Sequence, residues 1–176
     1  MLDPEDVLSF WLPQRAKWFV KDPAFDALLR ERFGAVHDAV VRGDCDEWLM
    51  TPRGRLAFVI VLDQFSRNMF RDTAKSFAYD DHALAVAVDA IDDGDDRSVP
   101  PDARSFFYLP LMHAEDLEMQ ERAVALYAGD PEGLKFAQAH RAIIRRFGRF
   151  PHRNQVLGRT STPTEVAFLA QPGSSF

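Results

Sequence analysis

A chain of 176 residues has the length of one domain, and its 47% hydrophobic content with 15 Phe and 3 Trp excludes a disordered polypeptide. Its net charge of −6 speaks against a broad nucleic-acid surface, and its apolar runs, such as LAFVIVL at 56–62, are far too short to span a membrane. The lone Cys45 rules out an intrachain disulfide, and the start lacks the basic stretch of a secretion signal, so a cytoplasmic single domain over 1–176 is expected.

The elements read as helices from end to end. Asp3 and Pro4 supply an N-cap and a first-turn proline for DPEDVLSFWL, and Asp22 and Pro23 repeat the device ahead of a stripe of Phe25, Leu29, Phe33, Val36 and Val40. Gly43 closes that helix. Thr51 and Pro52 open TPRGRLAFVIVLDQF, and Asp80 or Asp81 starts the next helix, closed by Gly94. PPDARSFFYLPLM predicts a short helix interrupted near Pro110. AEDLEMQERAVALYAG follows, then a helix capped by Asp130 and Pro131 and stopped by Gly148. Thr162 and Glu165 form a capping box around Pro163 for the last one. About eight helices without a convincing strand predict an all-α fold.

Three stretches carry chemistry. In LDQFSRNMFRDT, Asp63, Arg67 and Arg71 recur at i, i+4 and i+8, with Asn68 beside them, which on a helix makes one charged face at the edge of an apolar run. That face is either an internal salt bridge or part of a ligand site. In PLMHAEDLEMQER, His113, Asp116 and Gln120 fall at helical spacing next to Glu115; a carboxylate-oriented His is either a general base or, more commonly, a satisfied, partly buried histidine, and His113 and Glu115 are the catalytic candidates. A metal would need further ligands, and nothing in the sequence links His140 or His152 to this helix, so neither metal nor cofactor is expected.

The third stretch is RFGRFPHRNQVLGR at 146–159. No acid occurs between Ala139 and Thr164, while six arginines do. Pro151 holds Phe150 extended, which places His152, Arg153 and Asn154 on a tight loop. An anion pocket drawing on Arg145, Arg149, Arg153 and Arg159 is one reading; arginines stapling the C-terminal segment to acidic helices is the other.

On VLSFWL (7–12), WFVKDPAFD (18–26), LDQFSRNMFR (62–71), HAE (113–115) and RFGRFPHRNQVLGRTST (146–162), the chain resembles a bacterial family catalogued as domain of unknown function 924. The resemblance implies an all-helical, tetratricopeptide-like array of antiparallel helix pairs, with no established activity. The family usually carries Ser where this chain has Ala114, which counts against serine chemistry. The expected partner is a small anionic ligand, bound by Asp63, Arg67, Asn68, Arg71, His140, Arg145, Arg149, His152, Arg153 and Asn154, or a protein segment. The sequence leaves the oligomeric state open.

Overall fold

The computed structural model describes residues 2–175, and all of its regular secondary structure is helical. The elements are α1 (Pro4–Trp11), α2 (Pro23–Arg42), α3 (Pro52–Val59), α4 (Ser66–Met69), α5 (Asp80–Asp93), α6 (Ser105–His113), α7 (Leu117–Leu126), α8 (Pro131–Phe147) and α9 (Pro163–Leu169).

Most starts follow from capping chemistry. Asp3, Asp22, Thr51, Asp130 and Thr162 each accept a backbone N–H of the first turn, and each precedes a proline that has no N–H to satisfy. The expected Thr162–Glu165 capping box is present in both directions. The stops at Gly43, Gly94 and Gly148 are left-handed, with φ of 81°, 81° and 70°, a conformation that costs side-chain-bearing residues energy and glycine little.

The structure departs from the sequence reading at four places. The helix opened by Thr51 is not α-helical throughout: its middle, Ile60–Phe65, is π-helical before it runs on as α4. It then stops at Met69, so Arg71 leaves the face that Asp63 and Arg67 were expected to share with it. Pro110 lies inside α6 instead of interrupting it; Phe106 to Met112 are all buried, and their packing outweighs one lost hydrogen bond. Finally, α7 begins only at Leu117, so His113, Asp116 and Gln120 do not share a helix. Asp116 is instead the N-cap of α7, accepting Met119 N–H at 3.0 Å.

Trp11 anchors the main core, with its ring 5.4 Å from that of Phe65 and 5.9 Å from that of Phe106. Helix α1 packs on α3, α3 on α5, and α5, α6, α7 and α8 pack each on the next. The C-terminal segment contributes only a small separate cluster of Ile143, Ile144 and Phe150 backed by Phe147 and Phe168. No described helix is long and apolar enough to cross a membrane.

Candidate functional site

The π-helical segment is buried along its whole length, and Asp63 sits in it with 1% of its surface exposed. An ionised carboxylate in that position requires partners. His113 Nδ1 meets Asp63 Oδ1 at 2.7 Å, Arg67 Nη1 lies 3.0 Å from the same oxygen, and Gln64 donates to Oδ2. Burial alone would push the Asp63 carboxyl up. The Arg67 guanidinium and the His113 and Gln64 contacts outweigh it and hold Asp63 well below the ordinary carboxylate range.

That ionisation fixes the tautomer of His113. A carboxylate only accepts, so the ring proton is on Nδ1. Burial and then the positive charge of Arg67 push the His113 pKa down, so at neutral pH the ring is uncharged and Nε2 keeps its lone pair.

The network extends outward from Arg67. Its guanidinium forks onto Asp80 at the start of α5, at 2.8 and 2.9 Å. Arg153 reaches the same carboxylate at 3.5 Å and donates from Nη2 to the His113 carbonyl at 2.9 Å. The Arg153 guanidinium lies between Phe77 and Phe150, 4.6 Å from each ring centroid, and its buried Nε has no hydrogen-bond partner. Burial and then Arg67 push the Arg153 pKa down to about 10, which leaves it protonated at neutral pH.

Next to this network lies a second one. Glu115 receives the fork of Arg159 at 2.7 and 2.9 Å and accepts Phe150 N–H at 2.7 Å, while Arg159 also donates to the Phe150 carbonyl at 3.1 Å. Arg159 Nε donates to Asn154, whose amide donates to Ser161 and, at 3.3 Å, to Glu165. Arg149 forks onto Glu165 at 2.7 and 2.8 Å, and this hydrogen bonding takes the Glu165 pKa down to about 2.

The expected site residues therefore separate into groups. Asp63, Arg67, His113 and Arg153 form the first network; Glu115, Arg149 and Asn154 belong to the second. His140 stands behind them, with Nδ1 2.8 Å from the Phe136 carbonyl and its ring 6.2 Å from His113 and 5.6 Å from Phe150, and the His152 ring is 5.6 Å from Phe150. Asn68 and Arg71 converge elsewhere, on the buried Asp26 of α2 at 2.7 to 3.0 Å. Arg145 is exposed and pairs with Glu121 at 3.1 Å. Sequence reasoning missed Asp80, read only as a helix start, and Asp26, which lies 42 residues from Asn68. Nor did any local signal single out Phe77.

Where α5, the α6–α7 turn and the Arg153 loop meet, a cleft of about 430 Å³ opens, walled by Asp80, His113, Ala114, Glu115 and Arg153 among others. His113 is thus oriented from behind by a buried carboxylate and stands on the wall of a cavity. Its Nδ1 edge is committed to Asp63, so Nε2 is the ring nitrogen left for proton transfer. Among the described residues no group of three His, Cys, Asp or Glu side chains is placed to hold a metal ion.

An all-helical domain with an Asp–His pair beside a cleft and a network of arginine forks is the class of protein that fold and site define. The chain belongs to a family of bacterial proteins of unknown function, DUF924, which it matches over residues 7–173. It is similar to a solved structure, the protein of unknown function ATU0120 from Agrobacterium tumefaciens, at 44% identity and a TM-score of 0.92, covering 95% of this chain and 96% of that one. No curated protein matches the chain.

Two outcomes follow from this electrostatic arrangement. Arg67→Ala strands the Asp63 charge and is expected to cost about 3 to 5 kcal/mol in chemical denaturation. Arg53→Ala, which breaks the exposed pair with Glu5, should cost less than about 1 kcal/mol; equal losses would contradict the assignment. The second outcome concerns pH. Burial above all, with the Arg153 charge among the lesser causes, lowers the His140 and His152 pKa values from 6.5 to about 3 and about 4. Below about 6.5 the unfolded chain binds protons that the folded chain refuses, so stability is complete above that pH and falls as pH drops through it. His140→Gln should flatten the decline between pH 6.5 and 4.5 by up to about 1.4 kcal/mol per pH unit, and an unchanged slope would contradict the burial of a neutral ring.

Proposed function

We propose that the cleft binds a small molecule bearing a phosphate or carboxylate group, and that His113 is its proton acceptor. The observation that carries this reading is the Asp63–His113 pair: a buried ionised carboxylate holds the ring by Nδ1, and the ring stands on the cleft wall. This is the geometry a general base needs, with orientation and protonation state set before any ligand arrives. Arg153 supports an acidic group on the ligand, since it lines the same cleft, stays protonated and has one carboxylate contact, the long one with Asp80, beside its bond to the His113 carbonyl. In this reading Glu115 is not catalytic. Its carboxylate is engaged by Arg159 and the Phe150 amide, so it positions the loop that carries Arg153.

A second reading concerns the remaining arginines and is favoured by their forks. Arg67, Arg71, Arg149 and Arg159 each make a two-pronged pair with a carboxylate of the chain itself. They act as staples of the helical array rather than as ligand contacts.

The test is a melting-temperature screen with inorganic phosphate, phosphorylated metabolites and small carboxylates, amino acids among them. A ligand at 100 times its Kd stabilises by about 2.7 kcal/mol, a rise of several degrees for a chain of this size. Arg153→Lys is expected to reduce that rise while leaving the unliganded circular dichroism spectrum unchanged. If no compound in the panel raises the melting temperature, the reading fails.

A further inference from the structure

The cleft wall is more acidic than its arginine suggests. Asp80, Asp81, Glu115 and Asp116 all line it, against Arg153 as its one lining cation. Two of these acids are neutralised from behind, Asp80 by Arg67 and Glu115 by Arg159. Asp81 and Asp116 form no ion pair among the described residues, and both are exposed at the cleft. Asp116 spends Oδ1 on the Met119 amide as the α7 cap and has no cationic side chain paired with it.

Arg153 is the independent observation that points to a ligand. The residue is only 7% exposed, its Nε donor has no hydrogen-bond partner, and its contact with Asp80 is 3.5 Å long. Nη2 is spent on the His113 carbonyl, but buried donors are ordinarily satisfied, and here Nε is unmatched and Nη1 only loosely held. A molecule bearing only an acidic group would gain Arg153 and be repelled by two unpaired carboxylates. Leu84, Met119 and Leu157 give the same cleft an apolar surface, and a volume of about 430 Å³ is larger than inorganic phosphate needs.

Building on the ligand-site reading above, we propose that the molecule this cleft takes is zwitterionic, an amino-acid-like compound. Its acid faces Arg153, its ammonium faces Asp81 and Asp116, and its alkyl body lies against Leu84, Met119 and Leu157. Charge complementarity at both ends separates it from simple anions through the repulsion they meet at the two aspartates.

The experiment compares ω-amino acids of three to six carbons with the carboxylic acids and the alkylamines of the same lengths, by calorimetric titration. At the best length the zwitterion is expected to bind at least tenfold more tightly than its acid analogue. The double variant Asp81→Asn, Asp116→Asn should abolish that preference, and asparagine keeps the α7 cap so that the fold is retained. If the acid binds as well as the zwitterion, or if the preference survives in the double variant, the inference is overturned while the anion-site reading stands. Failure of every zwitterion alongside a positive phosphate or carboxylate screen overturns the inference alone. Failure of the zwitterions and of that screen overturns both.

Discussion

The burial of one carboxylate charge organises the centre of this molecule. Asp63 lies in a π-helical segment surrounded by core residues, where an unpaired charge would cost several kcal/mol. The network that answers it draws on three elements. Arg67 follows on the same rod, His113 ends α6, and Asp80, which opens α5, holds the far side of Arg67. Arg153 then joins Asp80 to the His113 backbone, so the circuit closes on itself. A buried network of this kind adds little net stability relative to apolar packing. Its effect here is to fix one arrangement of α5, α6 and the loop, and with it the orientation of His113.

The same economy explains the arginine-rich segment after α8. Its apolar cluster is small, with Phe150 as the one completely buried aromatic. Charged forks supply what packing does not. Glu115 and Arg159 together engage both the N–H and the carbonyl of Phe150, and Arg149 ties the loop to the first turn of α9 through Glu165. The predominance of Arg over Lys follows from this use, because a planar fork can satisfy two carboxylate oxygens at once while an ammonium cannot. Most of the positive charge in the stretch is therefore consumed inside the chain, and Arg153 is the arginine left on the cleft wall.

Much of the fold was legible because its punctuation is local. A capping side chain, a proline and a terminal glycine act within four residues, and Asp22–Pro23, Thr162–Glu165 and Gly148 behave as their sequence neighbourhoods require. The extended Phe150 follows in the same way from Pro151. What could not be read depends on contacts distant in sequence. The π-helical turns at Ile60–Phe65 carry no compositional mark, and neither does the stop at Met69 that ends the regular spacing on which the Asp63–Arg67–Arg71 face relied. His113 was paired by spacing with Asp116, three residues away, but its carboxylate is Asp63, fifty residues away. Asp80 looked like a helix start, and its sequence context gives no sign that two arginines converge on it. The candidate residues were thus identified by type, whereas their partners had to come from the fold.

The central claim is that Asp63 is ionised and orients a His113 ring that burial and Arg67 keep neutral, with the proton on Nδ1. Side-chain ¹⁵N NMR of His113 at pH 7 tests it most directly, with His113→Asn providing the assignment. The account predicts a protonated, pyrrole-type Nδ1 and an unprotonated, pyridine-type Nε2, with the pattern lost in Asp63→Asn. A proton on Nε2 with Nδ1 bare, or a doubly protonated ring at that pH, would contradict it.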